Sequence, residues 1–209
     1  MATSPHDGRL ATVGPSGVHG RDRGIGMIEF LLALLLFSVG MAGLLSVQLA
    51  GKRAGFEAHQ RSIATAMATD MLAHIRGNAS RAGAYQVSNL GDRMNRRPQP
   101  PSDCTVAGCT PTQLVLFDLW RWESALLGAA EQDSGLNAGG LVAPRACILQ
   151  SGAKVFVSLS WRGLAAAREP TESTCGRNTP GLYDMPTGLP GNNLLRRQVV
   201  VSAYVGSTP

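Results

Sequence analysis

Few residues in this 209-residue chain have the types and spacing that chemistry needs. There is no HExxH, no P-loop, no G-x-S-x-G and no carboxylate pair with supporting signal, so no catalytic residue and no cofactor is expected. Asp118 and Glu123 read as ordinary polar positions of a helix. His59 and His74 lie fifteen residues apart on one helical stretch, about 22 Å along its axis, too far to share a metal. Two sets of residues remain. One is Glu29, a lone acid inside a long apolar run. The other is the four cysteines, Cys104, Cys109, Cys147 and Cys175, an even number with no CxxC among them. That pattern favours two disulfides in an oxidising compartment over redox chemistry. Cys147 with Cys175 and Cys104 with Cys109 is one connectivity, two others satisfy the count, and a four-cysteine zinc site competes with all three.

The element that carries Glu29 must be a helix. Residues 1–24 are rich in Gly, Pro, Ser and Thr and show no hydrophobic period, so they read as an unstructured leader. Phe30 to Leu49 is then twenty residues without an ionisable side chain. At about 1.5 Å per residue this spans roughly 30 Å, the thickness of a bilayer core. Residues 25–49 are therefore the expected membrane span. A cleaved secretory signal would have a shorter apolar region and a small-residue cleavage site. A plain anchor leaves Glu29 unexplained, because a carboxylate at a membrane edge needs a partner. Arginines before the span and Lys52, Arg53 and Arg61 after it nearly balance, so charge does not set the orientation.

Gly24-Ile25-Gly26-Met27-Ile28-Glu29-Phe30 resembles the class III signal of type IV pilins and pseudopilins. The resemblance implies a leader cut after Gly24 by a prepilin peptidase, N-methylation of the new terminus at Ile25, and an assembly role for Glu29. Phe is usual at the position of Ile25. In a stack of such helices the Glu29 carboxylate can pair with the Ile25 ammonium of a neighbour, so that two charges expensive alone in lipid offset each other. Further stretches resemble the minor pilins of the pilus modification (PilV) subgroup: Ser62 to Met71, Ile75-Arg76-Gly77-Asn78, Ala84-Tyr85, Asp103-Cys104 with Cys109, Asp118-Leu119, Trp122, and Gln198 to Val205.

The helix is expected to continue past the membrane. From Ala50 to Arg76 there is no proline, and Phe56, Ile63, Met67, Met71 and Ile75 form a stripe with Ala64, Ala68 and Leu72 beside it. Residues 50–77 are thus the amphipathic half of one helix of about 50 residues, with Gly77 as its stop. Residues 78–209 form the head.

Within the head, residues 78–101 read as a connecting loop whose basic end, Arg93 to Pro98, is a solvated charge run; nucleic acid is not an expected partner. Thr110-Pro111-Thr112-Gln113 announces a helix with a capping box, its core face being Val115, Leu119, Trp122 and Leu126. Trp120 lies about 200° from Trp122 and is a candidate exposed partner contact. Arg145 to Gln150 and Ala153 to Trp161 form a hairpin around Ser151-Gly152, and Arg196 to Val205 is a third strand. Residues 163–195 carry four prolines and form a long loop, which in a small domain is functional or tied down.

The expected fold is α+β and pilin-like: a long N-terminal helix packed on a small antiparallel sheet. The expected function is a minor pilin that enters and helps initiate type IV pilus assembly. Its partners are other minor and major pilins, the prepilin peptidase and the inner-membrane assembly platform. Its place is the inner membrane, with a periplasmic head, and then the fibre. A type II secretion pseudopilin, or an anchored periplasmic binding domain without an assembly role, are the competing readings.

Overall fold

A computed structural model describes residues 26–129, 131–137, 139–177, 179–186 and 190–206. The expected leader, with Gly24 and Ile25, lies outside them. The chain divides into two units after Val47, residues 1–47 and 48–209. Helix α1 (Met27–Gly77) contributes to both. In the first unit its side chains are almost wholly apolar, and every described residue is exposed.

The second unit begins with the amphipathic part of α1. Gln60, Ala64, Ala68, Met71, Leu72 and Ile75 are buried, and Ile63 and Met67 are partly so. These spacings of three and four keep one stripe turned toward the core. Gly77 is the last residue of α1 and has no left-handed φ. The helix therefore stops at the expected glycine but without a left-handed cap: the N–H of Asn78 reaches His74 O and Ile75 O at 3.1 and 3.2 Å, and a 3₁₀ helix follows over Ala79–Tyr85.

In chain order the remaining elements are β1 (Val87–Leu90), α2 (Pro111–Leu126), β2 (Gln132–Asp133), β3 (Leu136–Asn137), β4 (Arg145–Ser151), β5 (Lys154–Arg162) and β6 (Arg196–Tyr204). β2 and β3 pair with each other. The main sheet has the order β1-β4-β5-β6 and is antiparallel throughout, giving an α+β fold. Residues 78–101 are therefore not one loop, because they hold the 3₁₀ helix and edge strand β1.

The hairpin turns one residue later than the sequence reading. Ser151 pairs with Lys154, leaving Gly152-Ala153 as the two-residue loop. Gly152, at φ +60°, supplies the positive φ that the first position of a primed turn demands. In β5, Val155, Val157 and Leu159 are fully buried and Trp161 nearly so, on the face shared with Ala203 of β6. Helix α2 starts as its sequence dictates. Gln113 N–H donates to Thr110 Oγ1 (3.4 Å) and Thr110 N–H to Gln113 Oε1 (2.9 Å), with Pro111 in the first turn. Its inward face buries Val115, Leu119, Trp122 and Leu126 against the same core as α1 and the sheet. At the end of α2 the chain passes itself so closely that a Cβ on Gly128 would fall on the backbone of Gly139, which only glycine at φ +77° permits.

Candidate functional site

The N-terminal unit holds the first candidate, Glu29. It stands in the first turn of α1, where the helix dipole favours a carboxylate, and its backbone N–H is held by Gly26 O at 2.9 Å. Among the described residues its side chain has no partner. The apolar side chains that follow are exposed on every face of the helix: Leu31 57%, Leu32 58%, Leu35 61% and Leu36 63% cover more than one helical turn. The hydroxyls in this stretch are satisfied locally. Ser38 Oγ donates to Leu35 O (2.8 Å) and Ser46 Oγ to Gly43 O (2.7 Å), as an apolar solvent requires. Among the described residues this is one helix long and apolar enough to cross a membrane.

The head holds a buried polar network that the sequence reading missed. Asp118 and Glu123 are buried acceptors rather than plain polar positions of α2. The Tyr85 hydroxyl donates to Asp118 Oδ2 at 2.6 Å, and His74 Nδ1 of α1 lies 3.3 Å from Asp118 Oδ1. Asn78 Nδ2 donates to Tyr85 Oη (3.3 Å) and Pro111 O (2.7 Å). Burial first, then the Asp118 carboxylate, holds the Tyr85 hydroxyl protonated far above the usual tyrosine range. Glu123 accepts from the N–H groups of Gly91 (3.1 Å) and Arg97 (2.8 Å), stapling the segment after β1 to α2. Each acid therefore locks two elements together through charge-assisted bonds. Gln60 does the same between α1 and residues 140–142, donating to Gly140 O (3.3 Å) and accepting from Val142 N–H (3.1 Å).

Beside this network a groove of about 550 Å³ runs between α1 and α2, lined by His74, Arg96, Trp120 and Arg121 among others. Trp120 is half-buried and lines this groove, its ring tilted against that of Phe117, one turn earlier on α2, at a centroid distance of 5.8 Å. Trp122 is core, and its indole N–H donates to Met67 O at 3.0 Å.

The cysteines form two disulfides, Cys104–Cys109 and Cys147–Cys175, so no thiolate is left for the zinc alternative. The second closes a separation of 28 residues and pins the 163–195 segment to β4. That segment is tied down in other ways. Arg196, wholly buried, donates to Ser173 O (3.0 Å), Cys175 O (3.0 Å) and Pro170 O (2.6 Å) and meets Glu169 at 3.3 Å. Burial pulls its guanidinium pKa down, and Glu169 opposes the shift. Tyr183, from the segment itself, is fully buried and donates to Ala143 O at 3.0 Å; burial pushes its hydroxyl pKa well up. The segment covers Ser158 and Ser160 on the outer face of β5, Ser160 Oγ donating to Cys175 O at 2.9 Å.

His59 and His74 stay apart, and among the described residues no three His, Cys, Asp or Glu side chains gather as a metal site. No protein-family model, no curated protein and no solved structure matches the chain.

Proposed function

We propose that the chain is a minor pilin of a type IV pilus. The observation that carries the reading is the placement of Glu29. A single acid stands in the first turn of a helix that is apolar on all faces for the next twenty residues and then becomes amphipathic within a disulfide-bonded head. The acid has no partner among the described residues. In this reading the partner comes from another subunit: prepilin peptidase removes residues 1–24, the freed Ile25 amine is methylated, and its ammonium pairs with Glu29 of the neighbouring protomer. The pair sets the axial register of the helices while their apolar surfaces exchange lipid for one another. The head stays periplasmic, where disulfides form, and presents the surfaces that choose neighbouring pilins.

Replacing Glu29 with Ala leaves membrane insertion intact, since the apolar run is untouched. It leaves a neighbour's ammonium alone in a low-dielectric stack, an effect of about 3–5 kcal/mol for a broken buried pair. Co-purification with other pilins from detergent extracts should then collapse. An unchanged co-purification profile contradicts the reading. Recovery of the chain in sheared surface fibres separates a pilus subunit from a pseudopilin confined to a short periplasmic assembly.

A further inference from the structure

Strand β6 lies at the edge of the main sheet, and its exposure differs sharply from that of its neighbour. On the core face Val155, Val157 and Leu159 of β5 are fully buried, whereas Val199 and Val201 of β6 are only half-buried. The strand is nine residues long and pairs with β5 in unbroken register from Arg196 to Tyr204. It has no proline, and from Gln198 to Tyr204 no charge. Edge strands are usually protected by a bulge, a proline or a charged side chain, because their free N–H and C=O groups template another strand.

One end of this edge is chemically marked. A cleft of about 280 Å³ opens there, lined by Glu57, Ala58 and Arg61 of α1 and by Trp161, Arg197 and Gln198 of the sheet. Its acceptor is already used: Glu57 takes the Leu164 N–H at 2.7 Å and meets Arg197 Nε at 3.4 Å. Its donors are in surplus. The exposed Arg61 guanidinium has no partner among the described residues, and the indole N–H of the buried Trp161 has no acceptor. The opposite end is also cationic, with Lys154 paired to Tyr204 across the strands and its Nζ 5.9 Å from that ring.

We propose that the β6 edge binds one extended strand of a different protein, antiparallel to β6, with an apolar centre and an acidic C-terminal end lying beside Arg61. The added strand covers Val199 and Val201, and its carboxylate meets the unpaired cation. A second copy of this chain fits poorly. β6 contains no Asp or Glu, antiparallel self-pairing sets Arg61 and Arg197 against the Lys154 end of the other copy, and parallel self-pairing sets Arg61 beside Arg61. The inference goes beyond the assembly role of α1 and does not depend on it.

The test uses the full chain in detergent micelles and two blocked heptapeptides, acetyl-Thr-Val-Thr-Val-Thr-Glu-Glu-amide and the same sequence ending in Lys-Lys. Calorimetric titration should show the glutamate peptide binding about tenfold more tightly. Arg61→Glu, an exposed change, should invert the preference, and hydrogen exchange should slow in β6 but not in the other edge strand, β1. Equal affinity for the two peptides, no binding at millimolar concentration, protection at β1, or an unchanged preference in Arg61→Glu overturns the proposal. So does a Ser202→Cys variant that forms a disulfide-linked homodimer, which would assign the edge to a second copy.

Discussion

The two stretches of α1 obey the same backbone geometry and differ entirely in what their side chains meet. From residue 26 to residue 55 nothing is buried; between Gln60 and Ile75 six residues are. The later stretch confines its apolar residues to one stripe, and the head supplies a sheet and a second helix to cover it. From Phe30 to Leu49 the earlier stretch is apolar around its whole circumference, so no single protein face could cover it, and the medium suited to such a surface is lipid or a ring of similar helices. The acids repeat the contrast. Asp118 and Glu123 are buried, and each finds its partners within its own head. Glu29 stands at the start of the apolar stretch with none among the described residues. A carboxylate whose partners are in the same chain is architecture; in the proposed reading Glu29 instead joins one subunit to the next.

The contrast breaks most visibly if the core residues of the two stretches are exchanged in importance. Ile75→Ala, in the later stretch, should lower head stability by about 2–5 kcal/mol in denaturant unfolding of the full chain in micelles. Leu36→Ala should change it by less than about 0.5 kcal/mol. Equal losses would mean that the apolar stretch is part of the head's core. Next in size, Cys147→Ser with Cys175→Ser should cost about 3–4 kcal/mol on the chain-entropy account, and Cys104→Ser with Cys109→Ser about 2, because the second loop is far shorter. Thermal unfolding of the two double variants compares them directly.

The acids sharpen the contrast at a finer scale. Glu123→Gln should destabilise the head by about 1–3 kcal/mol, since the neutral amide offers one acceptor oxygen where Gly91 and Arg97 donate to two. Glu29→Gln should leave the same unfolding curve unchanged. The smallest effect is a slope with pH. Tyr85 and Tyr183 both stay protonated in the folded head well above the usual range, whereas unfolded tyrosine ionises near pH 10. Their raised folded values mean that this stabilisation is whole below about pH 10 and is lost as pH rises further. The loss is at most about 1.4 kcal/mol per pH unit for each tyrosine. Tyr85→Phe should remove one share of that slope, and an unaltered slope would deny Tyr85 its buried setting.

What could be read from the chain beforehand follows the range of the interactions concerned. The stripe on α1, the capping box at Thr110, the hairpin and strand β6 are written in patterns local in sequence, and they emerge nearly as read, with Phe56 of the stripe outside the core and the turn displaced by a single residue. The misses are long-range. Strand β1 is only four residues and exists because β4 pairs with it. Asp118, Glu123 and Gln60 look like surface residues because their partners lie 33, 32 and 82 positions away. Gly24 and Ile25 lie outside the described residues, and their part in the account rests on the signal resemblance.

That part is also the quickest to test. Intact-mass and terminal-peptide spectrometry of the membrane-extracted protein reads leader removal and amine methylation together. The account predicts a chain that begins at Ile25 with one added methyl group on its amine. A chain that retains residues 1–24, or begins at another position with an unmodified amine, contradicts it.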